Sequence, residues 1–210
     1  MILQLTKLYV QYIVKNKKFV YNGNILPLLF HSYNNFGLTE RSIEIPIIKY
    51  FLGLYKHENV LEIGNVSNHY YDEFKDMFVH KDTVDKYESG YDVINQDIAD
   101  YKSDKKYDFI YSISTFEHMD SDGGRNDDYV RLKKKQKPFS SIAFSNIQYC
   151  LDNLLGEGGR MVITFPLGYL TDEVGGSLVN AEERFFSAEY IDINYIAWKM
   201  KMIVVMVMGK

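Results

Sequence analysis

The stretch Val60-Leu61-Glu62-Ile63-Gly64-Asn65 constrains the fold more than any other part of the chain. An apolar run too short for a helix, closed by a carboxylate and a glycine, reads as a buried strand followed by a turn. In α/β proteins such a turn presents a nucleotide-like ligand at the carboxyl edge of a sheet. A dinucleotide site needs further glycines so that the backbone can approach a pyrophosphate. Asn65, Val66, Ser67, Asn68 and His69 follow Gly64 instead, which points to a ligand without phosphates.

Around this strand the chain alternates strand and helix signals. Tyr21-Asn22-Gly23-Asn24 marks the turn of a short hairpin over residues 19–29. Thr39 is placed to cap a helix over 40–55 whose apolar face carries Ile43, Ile47, Phe51 and Leu54, and Pro46 should end or kink it. Strands are expected at 60–63, 82–85, 107–114, 160–165 and 202–208, with a short apolar edge at 91–94. Further helices are expected at 70–78 and 139–155, the latter terminated by Gly156, Gly158 and Gly159. The alternation implies an α/β fold: a doubly wound, mostly parallel sheet with helices on both faces. No repeat or low-complexity linker interrupts it. Residues 1–210 therefore read as one domain, with 1–38 as an N-terminal helix and hairpin extension.

Composition narrows the function classes. With 46% hydrophobic and 25% charged residues, the chain has the makeup of a folded globular protein. A net charge of −4 offers no basic face for nucleic acid. No apolar run reaches the roughly 18 residues that span a bilayer. The lone Cys150 excludes an internal disulfide framework and fits a reducing, cytoplasmic setting. The first 19 residues, apolar at helical spacing and ending in Lys15, Lys17 and Lys18, read as a helix packed on the domain rather than a membrane-surface segment or a signal peptide. Asp120, Asp122, Asp127 and Asp128 lack the spacing of a Ca²⁺ loop, so no metal site is expected. The run Arg131, Lys133, Lys134, Lys135 and Lys137 reads as a solvated lead into the next helix, and Met200, Met202, Met206 and Met208 as core filling.

Polar groups cluster where the strands end. Glu62 and Gly64 close the first strand, and Asp85 closes the second about 20 positions beyond the glycine, the spacing of a carboxylate that bridges ribose hydroxyls. Asp97 follows the third strand in Asn95-Gln96-Asp97-Ile98, and Ser112 and Ser114 end the fourth. Ligands in such sheets bind outside the carboxyl ends of the strands, so these residues are candidates for one site.

In order along the chain, these segments resemble the motifs of class I S-adenosylmethionine-dependent methyltransferases. Glu62-Ile63-Gly64 is similar to their first motif, Val84-Asp85 to their second-strand acid, and Gln96-Asp97-Ile98 to their adenine-contacting turn. Asp108-Phe109-Ile110-Tyr111-Ser112-Ile113-Ser114-Thr115-Phe116-Glu117-His118 is similar to their fourth strand, and Leu154-Leu155-Gly156-Glu157-Gly158-Gly159-Arg160 to the turn before their fifth. The resemblance implies S-adenosylmethionine as cofactor. Glu62 would then hold its ammonium, directly or through water, together with main-chain carbonyls near Ser112 and Ser114. Gly64 would let the backbone approach, and Asn65, which tolerates unusual backbone angles, would continue that turn. Asp85, with Lys86 beside it, would receive the ribose hydroxyls, and Asp97 and Ile98 the adenine.

The same resemblance implies methyl transfer to a small-molecule or carbohydrate-like acceptor, with His118 as base for a hydroxyl and His31 and Tyr33 covering the acceptor. Glu117-His118 serves equally well as a cap for its turn. Two other functions remain open. The single glycine of the first motif and the short tail, residues 167–210, suit a degenerate member that binds without turnover. A nicotinamide-dependent oxidoreductase would need the phosphate-cradling glycines that Gly64 lacks.

Overall fold

The computed structural model describes residues 17–34, 39–119, 141–166 and 203–209. The N-terminal amphipathic segment, the acidic and basic residues of 120–137, and the apolar stretches at 185–190 and 195–198 lie outside them. Among the described residues, no helix is long and apolar enough to cross a membrane.

A hairpin comes first. Strands β1 (Lys18–Tyr21) and β2 (Asn24–Pro27) pair antiparallel, joined by Asn22 and Gly23 with φ of 54° and 77°. Two consecutive positive φ angles give the turn whose twist matches that of its strands, and Asn-Gly is its preferred sequence. Phe19 and Tyr21 are buried on the face that meets helix α1 (Arg41–Leu54).

Helix α1 continues past Pro46 and does not end there. A proline removes the N–H that would bond the carbonyl four residues back, at Ser42. Here the Leu29 N–H, just beyond the hairpin, donates to that Ser42 carbonyl at 2.9 Å. The orphaned acceptor is satisfied from outside the helix, which removes the main cost of the proline. The expected Thr39 side-chain cap is also absent. Glu40 occupies the cap position, and Ser42 Oγ instead accepts from the Thr39 N–H at 3.4 Å.

Six strands form the main sheet in the order β5-β4-β3-β6-β7-β8: β3 (His57–Ile63), β4 (Phe78–Asp85), β5 (Val93–Asn95), β6 (Tyr107–Ile113), β7 (Leu155–Pro166) and β8 (Ile203–Gly209). The first five are parallel, and β8 runs antiparallel to β7 at the edge. Strand alternation sorts the core into two faces. Val60, Phe109, Tyr111 and Val162 pack with α1 and the hairpin; Leu61, Ile63, Ile110, Met161 and Ile163 pack with Ala143 and Ile147 of helix α3 (Ser141–Tyr149). The fold is thus a doubly wound, mostly parallel α/β sheet with helices on both faces.

Strands β3, β4 and β7 start three to five residues earlier than expected, at His57, Phe78 and Leu155, and two helices are shorter than expected. The helix placed at 70–78 is only a 3-10 turn (Ser67–Tyr70) and one turn of α2 (Tyr71–Phe74), because β4 begins at Phe78. The α-helical part of the 139–155 segment stops at Tyr149 and widens to a π-turn (Cys150–Leu154), and Gly156, Gly158 and Gly159 lie inside β7 instead of capping the helix. They sit where the register slips: Tyr107 pairs with Leu155, yet Phe109 pairs with Arg160, so the extra residues form a bulge.

Candidate cofactor cleft

Chain order reverses at β3. The chain steps outward from it through β4 to β5, then returns to build β6 and β7 on its other side. A cleft opens there, beyond the carboxyl ends of the strands, as expected for a doubly wound sheet. It encloses about 540 Å3, counted out to open solvent. Ile63, Val84, Ile98 and Met119 supply apolar wall; Asp85, Gln96, Asp97, Thr115, His118 and Asn146 supply polar groups.

Gly64 forms the floor between β3 and β4. Its N–H donates to the Val84 carbonyl at 2.9 Å, and its φ of 93° is a conformation that side chains avoid. A Cβ there would meet not only a ligand, as the sequence implied, but the protein itself: it would lie 2.2 Å from Thr115 Oγ1.

Asp85 ends β4, where Oδ1 accepts the N–H groups of Tyr87 at 2.8 Å and Glu88 at 2.6 Å. Its carboxylate is therefore held in place by its own turn. Asn95 Nδ2 reinforces this turn by donating to the carbonyls of Asp85 and Lys86, both at 3.0 Å. Lys86 reaches across to Asp97 Oδ2 at 2.9 Å, and Asp97 Oδ1 accepts the Ala99 N–H at 3.1 Å. Burial pushes the Asp97 carboxyl up, but the Lys86 ammonium and the Ala99 N–H outweigh it and hold the group below its usual value. A carboxylate has about four lone-pair directions, so Asp97 keeps capacity for another donor.

The structure thus gathers Gly64, Asp85, Lys86, Asp97, Ile98 and His118 about one cleft. Glu62, Asn65, Ser112 and Ser114 are not among its lining residues. Glu62 shares a sheet face with Val60, opposite Leu61 and Ile63, and its side chain is 1% exposed. Its Oε1 accepts the Ser67 N–H at 2.7 Å; its Oε2 accepts the Ser67 hydroxyl and Lys81 Nζ, the latter at 2.9 Å. Lys81 also donates to Ser67 Oγ and Asn68 Oδ1. Glu62 consequently braces the loop that follows Gly64. Ser112 Oγ donates to the Ile63 carbonyl at 2.8 Å and ties β6 to β3. Ser114, with φ of 44°, donates through Oγ to Glu44 Oε1 at 2.7 Å.

The N-terminal aromatics reach the same loop. Tyr33 stacks on His69 with centroids 4.4 Å apart and planes 9° from parallel, and His31 lies against Tyr70. His69 Nε2 is 3.5 Å from Glu88 Oε2, which also accepts from Asn65 Nδ2 at 3.1 Å. Asn65 therefore joins the loop after β3 to the loop after β4.

Thr115 and Asn146 are cleft residues that the sequence reading passed over. Thr115 sits inside the quoted fourth-strand segment, but its value lies in facing Gly64, which spacing does not reveal. Asn146 carried a signal: it stands three residues after Ala143 and beside Ile147 on the buried face of α3, a polar side chain at a buried position, whereas Ile142, expected on the apolar side, is exposed. Its Nδ2 donates to Met119 Sδ at 3.4 Å.

No family model and no curated protein sequence matches the chain. Among solved structures it is similar to the N-methyltransferase NodS of Bradyrhizobium japonicum, with 14% identity and a TM-score of 0.45 over 80% of this chain and 94% of that one. The same enzyme in complex with S-adenosyl-l-homocysteine gives 13% and 0.41 over 59% and 60%. An S-adenosylmethionine-dependent methyltransferase from Clostridium acetobutylicum gives 14% and 0.40 over 68% and 55%. The matches therefore span less than two thirds of the last two chains.

Proposed function

We propose that this protein is an S-adenosylmethionine-dependent methyltransferase acting on a small-molecule or carbohydrate-like acceptor in the cytoplasm. One observation carries the reading: two carboxylates, Asp85 and Asp97, from successive strand ends meet at a single apolar-walled cleft whose floor is Gly64. The donor set suits an adenosyl group. Its ribose hydroxyls and exocyclic amine are hydrogen-bond donors, and the cleft offers Asp85 and Asp97 as acceptors with Ile98 between core and cleft. The loop after Gly64 holds no nest of glycine amides for a pyrophosphate, which disfavours a nicotinamide dinucleotide.

In this reading Asp85 receives the ribose hydroxyls with its carboxylate fixed by the Tyr87 and Glu88 N–H groups. Asp97 and Ile98 take the adenine, with Lys86 orienting Asp97 across the entrance. Glu62 and Asn65 act by shaping the loop beyond Gly64, and Ser112 by fixing Ile63, while Ser114 holds the turn that carries His118. When bound, S-adenosylmethionine supplies a methyl group on a sulfonium leaving group, so the chain needs no covalent nucleophile. What remains for the protein is to align the acceptor and exclude water. His118, 41% exposed on the cleft wall, is the group placed to take a proton at Nε2 from an acceptor hydroxyl.

Titration calorimetry with S-adenosylmethionine, S-adenosylhomocysteine and NAD tests the ligand, and transfer of a labelled methyl group into lysate fractions tests the reaction. Binding of both adenosyl compounds without NAD, followed by transfer, supports the proposal. Binding without transfer identifies a non-catalytic adenosyl-binding protein, and binding of NAD alone overturns the reading.

A further inference from the structure

Behind the wall that carries His118 lies a cluster of charge that the proposed function does not use. Glu44 of α1 and Glu117 of the 3-10 turn after β6 (Phe116–His118) have side chains 0% and 2% exposed. Arg41, one turn before Glu44, pairs with it through Nη1 and also faces Glu117. Ser114 Oγ donates to Glu44 at 2.7 Å and lies against Glu117 as well. Glu117 Oε2 is buried with no hydrogen-bond partner among the described residues, and Oε1 is 3.7 Å from His118 Nε2.

The charge count is decisive. Among the described residues, two ionised carboxylates against one guanidinium would leave an unbalanced buried anion, and proteins avoid that cost by keeping one carboxyl protonated. Arg41 and Ser114 are engaged with Glu44, so the proton belongs on Glu117. Burial, then repulsion from Glu44, pushes the Glu117 carboxyl up to about 8. Among the described residues, the groups that face it are Arg41 and Glu44 from α1, and Ser114, His118 and its own backbone N–H from its own turn.

We propose that Glu117 is a positioning residue for the candidate base: its neutral carboxyl, clamped behind the turn by Arg41, Glu44 and Ser114, keeps an anion away from the His118 ring so that His118 stands uncharged at the cleft. A carboxylate at that distance would instead favour the imidazolium, which cannot accept a proton. The inference rests on the methyltransferase reading only for what His118 does in the cleft. The proton on Glu117 is a property of the ligand-free protein.

The test is a pH titration of the ligand-free full chain by NMR of the histidine rings, with the His118 signal assigned by its loss in His118→Asn. In the wild type the His118 shift should show its own midpoint and a second, smaller inflection near pH 8, where Glu117 ionises. Glu117→Gln should abolish the second inflection and leave the first midpoint unchanged, since the amide is neutral as the acid is. Glu44→Gln should move the second inflection down by about one unit or more, because it removes the neighbouring charge. The proposal is overturned if Glu117→Gln lowers the first midpoint by about one unit or more, the mark of an anionic neighbour, or if the second inflection survives it. Should Glu117→Gln not fold, Glu44→Gln decides alone: an unmoved inflection refutes the shared proton. None of these outcomes depends on methyl transfer, so a missing activity and a missing buried proton are read separately.

Discussion

Gly64 and Thr115 meet from the turns that follow two neighbouring strands: a Cβ on the glycine would fall 2.2 Å from the threonine hydroxyl and 3.1 Å from its Cβ. The Thr115 side chain is thereby packed against the Gly64 position, where the turns after β3 and β6 both line the cleft. Gly64→Ala combines this clash with the strain of a φ of 93° and should cost about 2–4 kcal/mol of stability. Adding Thr115→Ala removes the hydroxyl and Cγ2 contacts, so it should recover most of the steric part and leave about 1–2 kcal/mol of backbone strain beside the 3.1 Å Cβ contact. Urea midpoints of the single and double variants measure both contributions, and a wild-type midpoint for Gly64→Ala would mean that the two turns do not touch.

Lys81 and Glu62 form the ion pair that braces the neighbouring loop, with the lysine mostly and the glutamate wholly removed from water. Removing one partner leaves a buried charge without compensation. Lys81→Met should therefore lower stability by about 3 kcal/mol in the cofactor-free protein. Glu62→Gln on that background should restore part of it, since the amide oxygen still accepts from Ser67 and no charge remains. If instead the glutamate serves a ligand alone, Lys81→Met will leave the cofactor-free unfolding midpoint untouched.

Asp85 has two tasks that can be separated. Its Oδ1 holds the turn through Tyr87 and Glu88, and the carboxylate as a whole is proposed to receive ribose hydroxyls. Asp85→Asn keeps one oxygen for the turn, so its melting temperature should stay near wild type. Asp85→Ala should weaken S-adenosylmethionine binding by about 1–3 kcal/mol, the cost of leaving buried donors without an acceptor. Calorimetry on the two variants and the wild type is the measurement. Equal affinity in all three would remove the ribose assignment.

The parts of this architecture that depend on local pattern could be read from the sequence. Strands β3 and β6 are short apolar runs bounded by turn residues, and the Asn22-Gly23 hairpin is a two-residue signal, so both were legible. The parts set by distant partners were not. Whether Pro46 breaks its helix depends on a hydrogen bond from Leu29, outside the helix altogether. The end of α3 depends on β7 starting early and bulging against Tyr107, a register that no periodicity encodes. Glu62 was recognised as the acid of a strand end, but alternation places it behind the cleft, and its partner Lys81 comes from the next strand. Glu44 gave no signal within its helix; only the fold brings Ser114 and Glu117 to it.

Glu117 has a consequence for stability that is independent of any ligand. Its folded-state carboxyl titrates near 8, well above the ordinary value of 4.5 for the unfolded chain. Between those values the folded protein binds the extra proton, so the contribution is fully present below about 4.5 and is lost as pH rises through about 8. Wild-type stability should accordingly fall across this window more steeply than that of Glu117→Gln, whose amide does not titrate. The difference between the two unfolding free energies isolates the group from the histidines, which titrate in both proteins. Above pH 8 the variant should be the more stable of the two, because the wild type then carries Glu117 and Glu44 ionised against Arg41, the one cation facing both among the described residues. Urea unfolding at intervals from pH 5 to about 9 provides the curve. Parallel pH profiles for the two proteins would show that Glu117 is ionised throughout and that Arg41 balances both carboxylates.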